Sequence, residues 1–243
     1  MSNAMRTIIF AVAAIICVTI CANAYKTKFN NTRIISVTGQ SQESFTSDLI
    51  VWQGNFAKSN FNLKEASIEL EQDKRRIQAY LKNFGINDKD IVFSAVRINQ
   101  LYDNVYDSNG NYSRQVFNGY NLSQTVRIES TDVEKVERLS REVSDLIADN
   151  IELTSNDPEY FYTKLTELKL KMIENATADA KKRAEIIAQN ADGKLKKLKS
   201  ANMGVIQIIG KNTSEDYSWG GNYNTLSKDK TASITIKLEY IAK

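Results

Sequence analysis

The chain has 243 residues, of which 42% are hydrophobic, so it is long enough to bury a core without disulfides. It has no histidine, and its two cysteines, Cys17 and Cys21, lie near the N-terminus. This excludes Ser-His-Asp and Cys-His nucleophiles, and zinc sites built from nitrogen and sulfur ligands, in the rest of the chain. A net charge of +3, from 32 basic and 29 acidic residues, gives no overall field that would attract nucleic acid.

Only carboxylate, lysine, tyrosine, serine and threonine chemistry remains open to an enzyme. The sequence contains neither a Gly-rich phosphate loop nor a Gly-x-Ser-x-Gly nucleophile elbow. We therefore expect a protein that is not an enzyme and that uses no cofactor and no metal. An enzyme that relies on serine, lysine or carboxylates is the least favoured alternative.

The N-terminal segment has the order of a secretory signal. Arg6 precedes an almost uninterrupted apolar run over residues 8–21, and Ala22 and Ala24 supply the small side chains that a signal peptidase requires. Residues 1–24 are therefore predicted to be a signal peptide, with cleavage before Tyr25 and a short linker over residues 25–33. The predicted location is the periplasm or the cell envelope.

Two alternatives remain for this segment. Residues 7–24 reach the lower length limit of a tilted transmembrane helix, so the segment would then stay as an anchor and hold the protein at a membrane. A lipoprotein would use Cys21, but Ile20 is bulky where a small residue is expected.

Two paired strands and a helix are the first predicted elements. Residues 34–38 and 48–56 are rich in β-branched and aromatic side chains, and the polar residues 40–47 separate them. Asn62 and Glu65 form a capping-box pattern, after which apolar residues keep helical spacing until Gly85. These apolar residues are Leu63, Ala66, Leu70, Ile77, Leu81 and Phe84.

Residues 91–101 and 120–128 are the next predicted strands. The second alternates apolar and polar side chains, which is typical of a strand with one face exposed to solvent. Between them, Asn109-Gly110 predicts a hairpin turn, because such residues adopt positive φ at little cost. A calcium loop is a poorer interpretation, since Val105 and Val116 would stand where carboxylates are needed.

Two further helices follow in the predicted order. Thr131 and Glu134 make a second capping-box pattern that predicts the start of a helix. Its helical spacing ends at residues 149–150. A short strand over residues 159–162 precedes the longest helix, residues 164–190, which Gly193 is expected to end. Its row of alanines predicts a core stripe, and it would also let the helix approach a sheet or a partner helix closely.

The last predicted strands are residues 205–209 and 231–241. The fold class is therefore α+β, with a mixed, largely antiparallel sheet, three main helices and the order β-β-α-β-β-α-β-α-β-β. The chain has one proline and no low-complexity linker, so residues 34–243 are expected to form one compact unit.

Five segments, in order, carry a resemblance to a known family. They are Ile35-Ser36-Val37-Thr38-Gly39, residues 47–52, Gly119-Tyr120, the alanine-rich residues 176–184 and residues 203–208. Together they resemble the SIMPL domain family over residues 34–241. The resemblance implies an exported envelope protein of poorly defined role, with members linked to stress tolerance and to ring-like self-assembly, and without an agreed catalytic residue.

Two segments without a clear period carry aromatic side chains. Residues 211–230 contain Tyr217, Trp219 and Tyr223, and residues 103–119 contain Tyr106 and Tyr112. Loops of this length in compact domains are functional or disordered in most cases. Because rigid aromatics suit buried contacts with a partner, these five residues are the candidate contacts of a homo-oligomer with a structural or stress-protective role.

Two other interpretations of these aromatics stay open. In the first, they pack on their own domain. In the second, they form a periplasmic binding module that captures a peptide, a glycan or an apolar ligand, although the sequence does not identify the ligand. Association with the envelope or a membrane is compatible with each of them, whereas a nucleic-acid partner is not expected.

We predict that the chain expressed in an exporting bacterium is cleaved between Ala24 and Tyr25. Intact-mass analysis of the soluble envelope fraction and of the membrane fraction checks this, with a chain that starts at Tyr25 as the expected species. Recovery of the full-length chain alone, and only from membranes, would show that the segment is a retained anchor.

Overall fold

In the computed structural model, residues 3–28 and 33–243 are described, with the side chains of residues 9–25 and of residue 33 onward. Over these residues the fold is α+β with antiparallel sheets, as predicted. The helices are α1 (Asn3–Lys28), α2 (Leu63–Asn83), α3 (Val133–Glu142) and α4 (Leu165–Asn190), and 3-10 turns cover Asp88–Asp90 and Val143–Asp149. The strands are β1 (Ile34–Thr46), β2 (Leu49–Asn60), β3 (Ile91–Phe93), β4 (Arg97–Tyr106), β5 (Tyr112–Ser130), β6 (Leu153–Ser155), β7 (Glu159–Phe161), β8 (Leu195–Met203), β9 (Gln207–Gly210) and β10 (Asp229–Ala242).

Helix α1 contains the apolar N-terminal run and extends beyond Tyr25, where the mature chain is predicted to begin. No helix within the described residues combines the length and the hydropathy needed to cross a membrane.

The described chain divides into two compact units. Unit 1 comprises residues 1–40, 174–204 and 235–243, and unit 2 comprises residues 41–173 and 205–234. Three of the four divisions fall inside β1, α4 and β10, and the fourth lies in the short connection between β8 and β9.

A six-stranded antiparallel sheet forms the centre of unit 2. Its strands run in the order β3-β5-β2-β6, with β4 also paired to β5 and β7 also paired to β2. Helices α2 and α3 both contact β2 and β5, and the enclosed core contains the fully buried side chains Trp52, Ile77 and Leu139. Leu122, Val126 and Ile128 of β5 are buried on one face, which confirms the predicted alternation.

The other sheet has four strands, in the order β1-β10-β8, with β9 paired to β10. Strand β10 alternates buried and more exposed residues, because Ala232, Ile234, Ile236 and Leu238 lie on its buried face.

The strand boundaries differ from the prediction at four places. The polar residues 40–46 belong to β1, and the strand predicted over residues 91–101 is broken into β3 and β4. Residues 103–119 form most of a long hairpin instead of a loop, and the sequence analysis missed β6 and β8. Strand β4 is exposed on both faces and therefore lacks the alternation on which the prediction relied.

The helix ends follow capping chemistry, with shifts of one residue. The side chain of Asn62 accepts a hydrogen bond from the N–H of Lys64 at 2.9 Å, as expected for the start of α2. The cap of α3 is Asp132 and not Thr131, because the Asp132 carboxylate accepts from the N–H of Lys135. At the end of α4, the left-handed residue is Asp192 (φ +52°) and not Gly193.

Within unit 1, α4 lies unusually close to β1. Ala176, Ala180, Ala184 and Ala188 form a buried stripe, as their spacing predicts. A Cβ atom on Gly39 would lie 2.2 Å from the carbonyl oxygen of Ala176 and 2.7 Å from the Cβ of Ala180. The two backbones therefore meet only because residue 39 has no side chain.

Replacing Gly39 by Ala should destabilise the protein by about 1–3 kcal/mol, since the added methyl group meets backbone atoms that cannot move independently. Denaturant unfolding measures the change. The matched control is Gly220→Ala, where an added Cβ meets nothing within 4 Å and φ is not in the left-handed region. Equal midpoints for the two variants would contradict the close packing.

Candidate interaction surfaces

The segment between β9 and β10, residues 211–228, is an ordered loop that we call the aromatic loop. The side chain of Gln207, which is buried, holds it from one side. The Gln207 Nε2 donates to the carbonyl of Ser218 at 2.7 Å, and its Oε1 accepts from the N–H of the same residue at 3.2 Å. This two-point contact fixes the position of the tip of the loop.

A backbone contact holds the second half of the aromatic loop. The N–H of Ile208 donates to the carbonyl of Asn222 at 2.8 Å, and the N–H of Asn224 donates to the carbonyl of Ile208 at 2.9 Å. Tyr223 thereby forms a parallel bridge with Ile208. Gly221, at φ +91°, makes the turn before this bridge, a conformation that favours glycine.

The fixed tip presents Trp219 to solvent. Its side chain is 100% exposed, compared with 65% for Tyr217 and 39% for Tyr223. The Tyr217 hydroxyl lies 3.5 Å from the Ser233 hydroxyl, and Tyr223 is partly covered beside β9. The protein's own domain therefore covers part of the Tyr223 side chain, but it does not cover the Trp219 side chain.

A buried lysine lies beneath the aromatic loop. The Nζ of Lys230 donates to the carbonyl of Tyr160 at 2.9 Å and to the carbonyl of Ser227 at 2.6 Å. Burial lowers the pKa of Lys230 from 10.5 to about 8, and the nearby Glu215 carboxylate opposes the shift. One oxygen of Glu215 pairs with the Asn224 amide, whereas its Oε2 is buried without a hydrogen bond.

The sequence analysis did not identify Lys230 as a structural residue, although a signal was present. Lys230 lies two residues before Ala232 and continues the buried face of β10, so the strand alternation extends to it. A lysine at this position is tolerated because two carbonyl groups and a carboxylate surround it.

The second aromatic segment is a hairpin, residues 97–119, which we call the arm. It consists of β4 and the first part of β5, and nearly all its residues are exposed on both faces. Its turn confirms the Asn-Gly prediction, with Gly110 at φ +81°. The Asp107 carboxylate accepts from the N–H groups of Asn109 (2.8 Å) and Asn111 (2.9 Å), and these bonds lower its pKa.

One face of the arm carries a row of aromatic rings. The rings of Tyr106 and Tyr112 meet edge to face across the hairpin, with centroids 6.4 Å apart. Nearer the sheet, the ring of Phe117 makes similar contacts with Tyr102 at 5.8 Å and with Phe61 at 5.5 Å. The predicted pair Tyr106 and Tyr112 is thus brought together, and Tyr102, which the sequence analysis missed, extends the same face.

An apolar groove lies beside the base of the arm. It has a volume of about 560 Å³ and is lined mainly by Leu63, Ile68, Ile98 and Leu122. The first three of these side chains are exposed, although their chemistry favours burial.

The carboxylates at strand and turn boundaries are occupied by local contacts. Asp48 accepts from both the N–H and the hydroxyl of Thr163 at 2.7 Å. Asp88 pairs with Lys82 at 2.7 Å, and this hydrogen bond lowers the pKa of Asp88. Within the described residues, no group of three or more carboxylates or cysteines is placed to hold a metal ion.

The buried Lys230 should make stability depend on pH. Because its folded pKa is about 8 and its unfolded pKa is near 10.5, the folded state loses the proton first as the pH rises. Stability should therefore increase between pH 8 and 9.5, by up to about 2 kcal/mol, relative to a Lys230→Met variant. Unfolding of both proteins at pH 7, 8 and 9.5 measures the difference, and parallel pH profiles would contradict it.

A comparison with protein families finds one match, described as "SIMPL: Protein of unknown function (DUF541)", over residues 35–238. A comparison with curated proteins finds no match. The family match covers most of the chain and includes the aromatic loop, the arm and Gly39, whose missing side chain lets α4 meet β1. The chain therefore belongs to the SIMPL (DUF541) family, as the sequence resemblance predicted.

Proposed function

We propose that the protein is an exported envelope module that assembles with copies of itself, in a structural or stress-protective role and without catalysis. The observation that carries this proposal is the full exposure of Trp219 on a loop tip that buried Gln207 holds in place. Its location outside the cytoplasm rests on the signal-like residues 1–24.

The exposure of Trp219 has a physical cost that a contact would remove. A tryptophan or tyrosine side chain buries about 150–250 Å² when it is covered, and such residues dominate the energetics of interfaces. Immobilising a flexible loop would offset part of this gain. Since the hydrogen bonds to Ser218 already hold the tip, little further ordering is needed when Trp219 is covered.

The charged groups support binding over catalysis. The carboxylates that the sequence places near strand ends have local hydrogen-bond partners, and the most perturbed amine, Lys230, is completely buried. A substrate would not reach the Lys230 amine without opening of the aromatic loop. Surface aromatics are therefore the groups best placed to meet a partner.

Replacing Trp219 by Ala should shift the assembly toward smaller species, because the exposed ring can contribute to a contact with another copy but not to its own core. Light scattering coupled to gel filtration gives the mass, and a thermal melt tests the fold. The control is Leu170→Ala, which removes an exposed apolar side chain of α4 outside the loop.

A parent protein that stays a monomer at high concentration would overturn self-assembly and would favour capture of a peptide, glycan or apolar ligand. An unchanged mass of the Trp219→Ala variant together with a lowered melting temperature would show that the ring stabilises its own domain.

A further inference from the structure

Strand β4 has one edge without a partner strand. It pairs with β5 along one side, and within the described residues no strand pairs with its other side. Both irregularities of this hairpin place the extra residue on β5, namely Asn118 and Ser113, so β4 itself is regular. Exposed edges are normally protected by charged side chains, lysine above all, or by proline, bulges or short length. Strand β4 has ten residues and no lysine, proline or bulge, and its two charged residues, Arg97 and Asp103, have opposite signs.

We propose that β4 pairs antiparallel with β4 of a second copy, about a twofold axis at Gln100. This proposal rests on the proposed self-assembly and specifies one of its contacts. When the twofold axis passes through a residue, each even-numbered residue of one β4 lies opposite an even-numbered residue of the other. The aromatic faces of both copies, which carry even-numbered residues of β4, then lie on the same side of the joined sheet. The extended sheet would satisfy backbone groups that β4 now exposes along its free edge.

The charges of β4 select this register. With the axis at Gln100, Arg97 of each copy lies opposite Asp103 of the other, so two ion pairs form across the joint. Arg97 and Asp103 are the two charged residues of β4. Neither has an ion pair among the described residues of its own chain, although other exposed charges do. An axis one residue further along would instead place Arg97 opposite Val105.

The apolar face gives the same register a second contact. Ile98 of one copy lies opposite Tyr102 of the other, and both side chains are about half exposed, at 56% and 49%. Ile98 also lines the groove with Leu63 and Ile68. The tyrosine ring of the second copy would therefore cover Ile98 at the mouth of that groove. Seven residues from each strand make a small contact, so the dimer should depend on concentration.

A charge swap in the full-length chain tests the ion pairs. Asp103→Arg places two arginines opposite each other at both ends of the joint and should weaken dimer formation at least tenfold. The double variant R97D/D103R restores opposite charges and should return the dimerisation constant to within about threefold of the parent. Analytical ultracentrifugation at several concentrations measures the constants, and circular dichroism checks that each variant is folded.

A cross-link tests the register independently. In the full-length chain with Cys17→Ala and Cys21→Ala, the Gln100→Cys variant should form a covalent dimer under mild oxidation, because the two introduced thiols face each other at the axis. Val105→Cys is the matched control on the same strand, and it should stay uncoupled because its copies are about ten residues out of register.

The outcomes separate this contact from the proposed function. An assembly that persists in Asp103→Arg, with no Gln100→Cys dimer, overturns the pairing of β4 and leaves self-assembly standing. A parent chain that is monomeric at every concentration overturns both. Rescue by the double variant, together with the selective cross-link, supports the twofold pairing.

Discussion

The antiparallel pairing of β2 with β5 is the contact on which the rest of unit 2 depends. Ile50–Asn60 of β2 match Tyr120–Ser130 of β5 residue by residue, and this double strand provides the surface that α2 and α3 cover. Strand β5 begins eight residues before this pairing, at Tyr112. This first part of β5 pairs with β4 and lies beyond the pairing with β2, so it forms the arm. Gly119, at φ +108°, marks the transition, since a Cβ there would lie 2.8 Å from the carbonyl oxygen of Asn60.

Both aromatic surfaces consist of exposed rings on backbone that is already ordered. In the aromatic loop, Gln207 and Ile208 supply four hydrogen bonds to the tip and to the second half. In the arm, cross-strand pairing and the Asp107 turn do the same. Ordering therefore precedes any contact, which lowers the entropic cost of binding.

Sequence periodicity predicted the covered elements and failed for the uncovered ones. The alanine row of α4 and the alternation of β5 over residues 120–128 arise because one face of each element is buried, and both patterns are confirmed. Most of the arm is exposed on both faces, so its residues show little alternation between apolar and polar side chains. The sequence therefore predicts a loop over residues 103–119, although it predicts a strand over residues 97–101 and a turn at Asn109-Gly110. The cap of α3 was misplaced because Thr131 and Asp132 are both good caps and only the structure shows which carboxylate or hydroxyl reaches the helix.

The two surfaces have different consequences for an assembly. A strand that pairs with its own copy about a twofold axis uses the same residues on both sides, so the contact closes on itself and yields a dimer. The tip at Trp219 has no such self-complementary register, since one ring on a polar turn requires a different, apolar surface to receive it. Such a contact closes as a dimer where it is reciprocal, with each ring covered by the other copy, and it gives a ring or an open filament where it is heterologous. If a heterologous Trp219 contact closes a ring and β4 also pairs, the chains are joined in dimers and the assembly contains an even number of copies.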